Sequence, residues 1–262
     1  MEKKKDELWI FLHIPRTGGN TISEVLIKKF PEQVLLTSKI RYQKKPSKIN
    51  KPKIRFILGH ATYFGLHKSY PDKIPRYFTF IRDPAERIVS QYNQRMHEMK
   101  KEISFDEWHK NQVKNEMVHF LDLKFKGAES SSINTPRFFI PFLRGVNHKI
   151  IYTIYSLIFK LLGLHKKNDF QKLKNAKKVL DSCYFIGLTK GDDDYYKVLD
   201  LMGAKEKKLV MQGRPPKRVL MINENLREKI YKEHPLDLEL YKYGLGLRNL
   251  RLNSLKRKAK NG

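Results

Sequence analysis

Apolar residues along this chain are bunched into short runs separated by polar, turn-forming stretches. Residues 8–14 (LWIFLHI) form an unbroken apolar run too short for a helix, the pattern of a strand buried on both faces. The turn PRTGGNT follows, and then Ile22, Val25, Leu26 and Phe30 recur at helical spacing. Thr21 with Glu24 three residues on has the form of a capping box, which predicts a helix start at Thr21. FILGH (56–60) and RYFTFIRD (76–83) are two further strands. Asp83 and Pro84 then place a capping carboxylate and a proline at the first helical position, and Ile88, Val89, Tyr92, Met96 and Met99 continue in helical register. Short helices and loops are expected over 104–147, a helix over 169–181, a strand over 183–188 and a helix from Asp193 to Met202. After Pro215-Pro216 comes one charged helix over 223–243 and a basic, frayed tail over 250–262. Strands alternating with helices predict an α/β fold: a central parallel sheet with helices on both faces, in three layers. No repeat or Gly/Ser linker divides the sequence, so residues 1–262 are read as one domain.

Charge changes the picture of what this fold meets. Lys and Arg number 54 against 27 acidic residues, a formal charge of +27. Such a field gathers anions, which keeps nucleic acid, anionic lipid, acidic glycans and nucleotides all open, while a charge run is also an ordinary solvated face. Residues 38–55 hold eight Lys or Arg and no acid, and Pro46 and Pro52 discourage regular structure, so a basic surface loop is expected. The apolar stretch 150–164 is shorter than the roughly 20 residues of a membrane span and contains Lys160. It reads as an apolar helical insertion over about 148–166, either a core or lid helix or a peripheral membrane contact with Lys149, Lys160, Lys166 and Lys167 at headgroup level. No signal sequence or anchor is legible, so the expectation is a cytoplasmic protein. Cys183 is the sole cysteine, which excludes an intrachain disulfide and paired-cysteine zinc sites and suits core packing.

Two segments carry chemistry. In HIPRTGGNT (13–21), between a strand and a helix, Gly18 and Gly19 let the backbone approach an anion closely, and the helix start directs N–H groups at it. Arg16 adds a forked charge, and Thr17 and Thr21 add hydroxyls. The nucleotide-phosphate loop GxxxxGK[ST] is not matched, because no Lys-Ser/Thr pair follows the glycines. In RDPAERIVSQY (82–92), Arg82 stands at the C-terminal end of a strand, where ligands of open α/β sheets collect, and Ser90 lies two turns along the next helix. Taken alone, either segment is equally an ordinary turn or a solvent-facing helix.

In this order the two segments resemble the carbohydrate sulfotransferase family that includes the heparan sulfate 2-O and 6-O enzymes, with motifs like HIPKTGGTT and RDPxxRxxSxY. The resemblance extends to Gly59-His60, NEMVHFL (115–121), CYFIGLTKGDDDYYKVLDLMG (183–203) and HPLDLELYKYG (234–244), and is weakest over 123–180. It implies a P-loop-like fold and a cosubstrate, 3′-phosphoadenosine 5′-phosphosulfate. Arg16, Thr17, Gly18, Gly19, Asn20 and Thr21 would hold the 5′-phosphosulfate, and Arg82 and Ser90 the 3′-phosphate. Arg16 stands where the family usually has the Lys that stabilises the departing bridging oxygen; Arg keeps the charge but not the geometry.

His60 would be the base for an acceptor hydroxyl, since imidazole titrates near neutrality. A packed histidine bonded to a carbonyl is the other reading; His67 is the nearby competitor, and His13 is read as orienting the phosphosulfate loop. The acceptor implied is a glycan or other hydroxyl compound, drawn electrostatically if acidic. No metal is implied: HExxH is absent, and Asp192-Asp193-Asp194 reads as a helix start. A P-loop-type nucleotide-dependent kinase and a basic nucleic-acid-binding protein are the alternatives, the second without a helix–turn–helix, zinc-finger or RNA-stacking motif to support it.

Overall fold

The computed structural model describes residues 6–37, 53–99, 103–126, 169–209 and 219–260. The apolar stretch 150–164 and most of the basic stretch 38–55 lie outside the described residues. Five strands, β1 (Glu7–Phe11), β2 (Val34–Leu36), β3 (Phe56–Leu58), β4 (Ile74–Ile81) and β5 (Phe185–Leu188), form one sheet in the order β2-β3-β1-β4-β5. Every pairing is parallel; Trp9 lies opposite Phe56 on one side of β1 and opposite Arg76 on the other. The helices are α1 (Gly19–Lys29), α2 (Pro84–Met99), α3 (Phe105–Lys110), α4 (Glu116–Lys126), α5 (Asp169–Ser182), α6 (Asp193–Leu201), α7 (Glu224–Glu233) and α8 (Pro235–Lys260).

Strand alternation sends side chains to two cores. Trp9, Phe11, Phe56, Leu58, Phe78, Phe80 and Phe185 face α1 and α6, meeting Ile22, Leu26, Tyr195, Val198 and Leu199. Leu8, Ile10, Ile57, Tyr77, Ile81 and Ile186 face the opposite layer, where α4, α5 and α8 supply Val118, Leu121, Ala176, Val179, Leu180 and Leu240. This is the predicted three-layer, P-loop-like arrangement. A third cluster packs α2 against α3 and α7 through Ile88, Tyr92, Met96, Trp108 and Ile230. Cys183 is buried just ahead of β5, and burial pushes its thiol up to about 12.

The order of strands positions the site. Both β3 and β4 flank β1, so the loops leaving the C-terminal ends of these three strands share one edge of the sheet. Strand order reverses there, the crevice where ligands of open α/β sheets bind.

Three expectations are corrected. Helix α1 starts at Gly19, with Gly18 as N-cap in the left-handed conformation, so Thr21 lies inside the helix and is buried rather than capping it. The single helix over 223–243 is two helices, because Pro235 lacks the N–H to continue α7 and instead opens α8. The basic tail is helical to Lys260 rather than frayed from 250. Arg248 holds that helix down through a fork on Asp194, with Nε to Oδ2 at 2.7 Å and Nη2 to Oδ1 at 2.8 Å, and Arg251 donates to the carbonyls of Leu180 and Asp181.

Candidate anion-binding site

The loop after β1 is held by three buried threonine hydroxyls. Thr62 donates to the carbonyl of Phe11 at 2.5 Å, Thr79 to that of Leu12 at 2.7 Å, and Thr17 to that of Ile14 at 2.8 Å. Arg16 at φ 66° and Gly18 at φ 76° then turn the chain into α1, whose N-cap has no side chain to cover the first N–H groups. The two glycines are required by what packs beneath them. A Cβ on Gly18 would stand 1.8 Å from the Tyr195 hydroxyl, and one on Gly19 would stand 2.3 Å from His13 Nε2. Asn20 is exposed at the start of α1.

The second segment meets this loop directly. Arg82 follows β4 and donates through Nη1 to the carbonyl of Arg16 at 3.3 Å. Arg16 donates through Nη2 to Ser90 Oγ on α2 at 3.1 Å. Burial lowers the pKa of Arg16, with Glu98 opposing and Arg87 adding to the fall; a guanidinium keeps its charge through such shifts. Asp83 caps α2 by accepting from the N–H of Glu86 at 3.0 Å, and its carboxylate also holds α7, through Arg227 at 3.1 Å and the hydroxyl of Tyr231. Glu86 lies 3.7 Å from Arg82 Nε, which steers that guanidinium toward the loop.

His60 opens the loop that leaves β3, after Gly59 at φ 116°. It is exposed, and its ring stacks on buried His13 with centroids 4.4 Å apart; His13 in turn stacks on Phe11 at 4.8 Å. His67 is turned away to Tyr77, with Nδ1 2.8 Å from the hydroxyl. Burial raises Tyr77 to about 12, so it stays an O–H; it accepts from the N–H of Gly65 and is left to donate to His67.

The sequence-predicted residues Arg16, Thr17, Gly18, Gly19, Asn20, Thr21, His60, Arg82 and Ser90 thus gather at one sheet edge, with Thr17 and Thr21 buried as supports. Sequence reasoning missed Tyr195, the support beneath Gly18, and assigned nothing to Arg87. That guanidinium is 1% exposed and donates to Gln91 at 3.2 Å and Glu116 at 2.8 Å, joining α2 to α4. The RDPxxR spacing was its only local signal.

The profile of the sulfotransferase family matches residues 3–149, more than half of the chain and the stretch that contains both candidate segments, 13–21 and 82–92. The chain belongs to the sulfotransferase family. Among curated relatives of this sulfotransferase-family chain, heparan sulfate 2-O-sulfotransferase 1 of Mus musculus is 28% identical over 107 residues, covering 35% of this chain and 30% of that protein. The match therefore spans less than a third of that relative's length. Among solved structures, a sulfotransferase from Alicyclobacillus acidocaldarius aligns over 93% of this chain and 96% of its own at a TM-score of 0.44 and 10% identity. A mouse sulfotransferase, SULT7A1, complexed with PAP aligns over 92% and 90% at 0.32 and 12% identity.

Proposed function

We propose that this sulfotransferase-family chain moves a sulfuryl group from 3′-phosphoadenosine 5′-phosphosulfate to a hydroxyl of a glycan or similar acceptor. The observation that carries the reading is the pair of contacts Arg82–Arg16 and Arg16–Ser90, which join the two anion-binding segments into one site. A nucleotide phosphorylated at both ends fits that donor set: a glycine turn opening a helix, with Arg16, at one side, and the Arg82 guanidinium and a serine hydroxyl at the other.

The cosubstrate would supply an activated sulfuryl group on a phosphate leaving group. The N-terminus of α1 and Arg16 provide positive potential where negative charge builds on the bridging oxygen, an effect worth several kcal/mol in related oxyanion sites. His60, exposed beside this loop, would take the proton of the acceptor hydroxyl as the new S–O bond forms. The S–O bond to the 5′-phosphate breaks at the same time, and its electron pair stays on that phosphate. His13 beneath the His60 ring keeps the imidazole facing outward, the direction from which an acceptor arrives. The net charge of +27 favours an acidic acceptor.

The test is transfer of radiolabelled sulfate from the cosubstrate to a panel of acidic glycans, with His60→Ala beside the wild-type chain. Label should reach at least one acceptor, and the variant should lose on the order of a hundredfold or more in rate. Absence of transfer to every glycan while the cosubstrate binds would remove the acceptor class; undiminished transfer by the variant would remove His60 as base.

A further inference from the structure

A column of four aromatic rings runs out of the sheet and ends at His60. Phe78 on β4 stacks on Phe11 on β1, with centroids 4.6 Å apart and planes 6° from parallel. Phe11 stacks on His13 at 4.8 Å and 13°, and His13 on His60 at 4.4 Å and 21°. The first three rings are buried and the last is exposed. The column is wedged under the first turn of α1, where a Cβ on Gly19 would stand 2.3 Å from His13 Nε2 and 2.6 Å from Phe11 Cε1. Packing this close holds the His13 ring in one place. An exposed histidine otherwise spreads over several staggered rotamers, and a ring laid flat on a fixed ring selects among them.

The main chain beside His60 is fixed to the same strand. The buried Thr62 hydroxyl donates to the carbonyl of Phe11 at 2.5 Å and lies 3.0 Å from that of Gly59, which ties the turn before His60 to the end of β1. The backbone is therefore set where His60 begins, and the orientation of its ring is left to the ring beneath. From this we infer that His13 is a positioning residue for His60, holding the imidazole in the one orientation from which it reaches the acceptor. This role rests on His60 being the base of the proposed reaction, and it is separate from any part His13 plays in the loop after β1. His13 is buried and acts through His60 rather than on the reacting atoms. Proton transfer depends on reach and alignment, so a shift of the base by about 1 Å is enough to cost much of the rate.

Two measurements on the full chain test this role, with a thermal melt of each variant to confirm folding. The first needs no acceptor. In NMR of the chain labelled with 13C at histidine Cε1, the His60 signal is assigned by its loss in His60→Ala. Its proton should lie upfield of a solvated imidazole because of the ring beneath, and should move to the solvated position in His13→Ala. A solvated position already in wild type, or a signal unmoved by His13→Ala, overturns the role of His13. The second is sulfuryl transfer to whichever glycan of the acidic panel takes most label. His13→Ala should lower kcat roughly tenfold to a hundredfold and leave the acceptor KM within about twofold. His13→Phe, which keeps a stacked ring, should recover part of that loss. In the His60→Ala background, His13→Ala should cost less than about twofold, the sign that it acts through His60. An equal cost in both backgrounds, or a loss carried by KM, overturns the role of His13 while leaving His60 as base. His60→Ala transferring at the wild-type rate overturns the base itself, whatever the NMR shows of His13.

Discussion

Asn115 and Asp237 cap each other's helices. The side-chain oxygen of Asn115 accepts from the N–H groups of Leu236 and Asp237 at 3.0 and 3.2 Å, at the start of α8. The Asp237 carboxylate accepts from Met117 and Val118 at 3.2 and 2.9 Å, at the start of α4. Asn115 holds this position at φ 54°, a conformation that asparagine tolerates and alanine does not. Asn115→Gly should therefore cost the cap alone, about 1–2 kcal/mol. Asn115→Ala should cost about 1 kcal/mol more through backbone strain. Urea denaturation of the two variants measures the difference; equal losses would mean that the backbone conformation is not strained for alanine.

Behind that junction a buried histidine pair sets a pH dependence. His234 Nδ1 accepts from the N–H of Asn115 at 3.0 Å, so its proton sits on Nε2, which points at His109 Nε2 across 2.8 Å. Burial, then His109, Lys114 and Arg87, push His234 down to about 3 against the pull of Glu233, and burial lowers His109 as well. Both folded pKa values lie below the unfolded value, so the unfolded chain binds more protons between about pH 3 and 6.5. Stability from this pair is present above pH 6.5 and falls on acidification. Between pH 7 and pH 5 the loss at His234 should be about 2 kcal/mol. Urea midpoints measured over that range should fall in the wild type and flatten in His234→Asn, whose side-chain oxygen can still accept from Asn115. Parallel profiles would place the titration elsewhere.

The glycine turn should be intolerant for two separable reasons. Gly18→Ala brings a Cβ within 1.8 Å of the Tyr195 hydroxyl and 3.0 Å of its Cζ, in a backbone region at φ 76°. Strain and overlap together should cost about 2–4 kcal/mol. Adding Tyr195→Phe removes the worse overlap and should recover part of the loss in a thermal melt. No recovery would mean that the clash is not with the hydroxyl.

The salt bridge of Arg248 with Asp194 gives a fourth stability test. Asp194 is buried; although burial works to raise its pKa, Arg248 and the N–H of Leu188 hold it below the ordinary carboxylate value. Arg248→Met would leave that buried carboxylate with only Lys197 at 3.3 Å and the N–H of Leu188, and should cost about 1.5–3 kcal/mol. Arg248→Met with Asp194→Asn should lose distinctly less in a denaturant melt; equal losses would show that the buried charge is not the source.

What the sequence made legible was local chemistry. Asp83-Pro84 announces the start of α2 because cap and first-turn proline act within four residues. Strand β2 went unread because Val34–Leu36 is too short to show a period and exists by pairing with β3. Thr21 and Glu24 imitate a capping box, yet Gly18 can adopt positive φ and starts the helix earlier. The order of the two anion segments indicated one site, but the reach of Arg16 to Ser90 joins residues 74 apart and leaves no local trace. His109 and His234, 125 apart, are beyond pattern reading for the same reason.

In the proposed function the loop after β1 and Arg82 serve one nucleotide. Thermal melts of wild type and Arg82→Ala, each with and without saturating adenosine 3′,5′-bisphosphate, test it directly. Ligand at about a hundred times its dissociation constant stabilises a folded chain by about 2.7 kcal/mol. For a chain of this size, that is a rise of roughly 5–10 °C. Wild type should show that rise with the bisphosphate and a smaller one with magnesium ATP, and Arg82→Ala should show none. An equal rise in Arg82→Ala, or none in wild type, would contradict it.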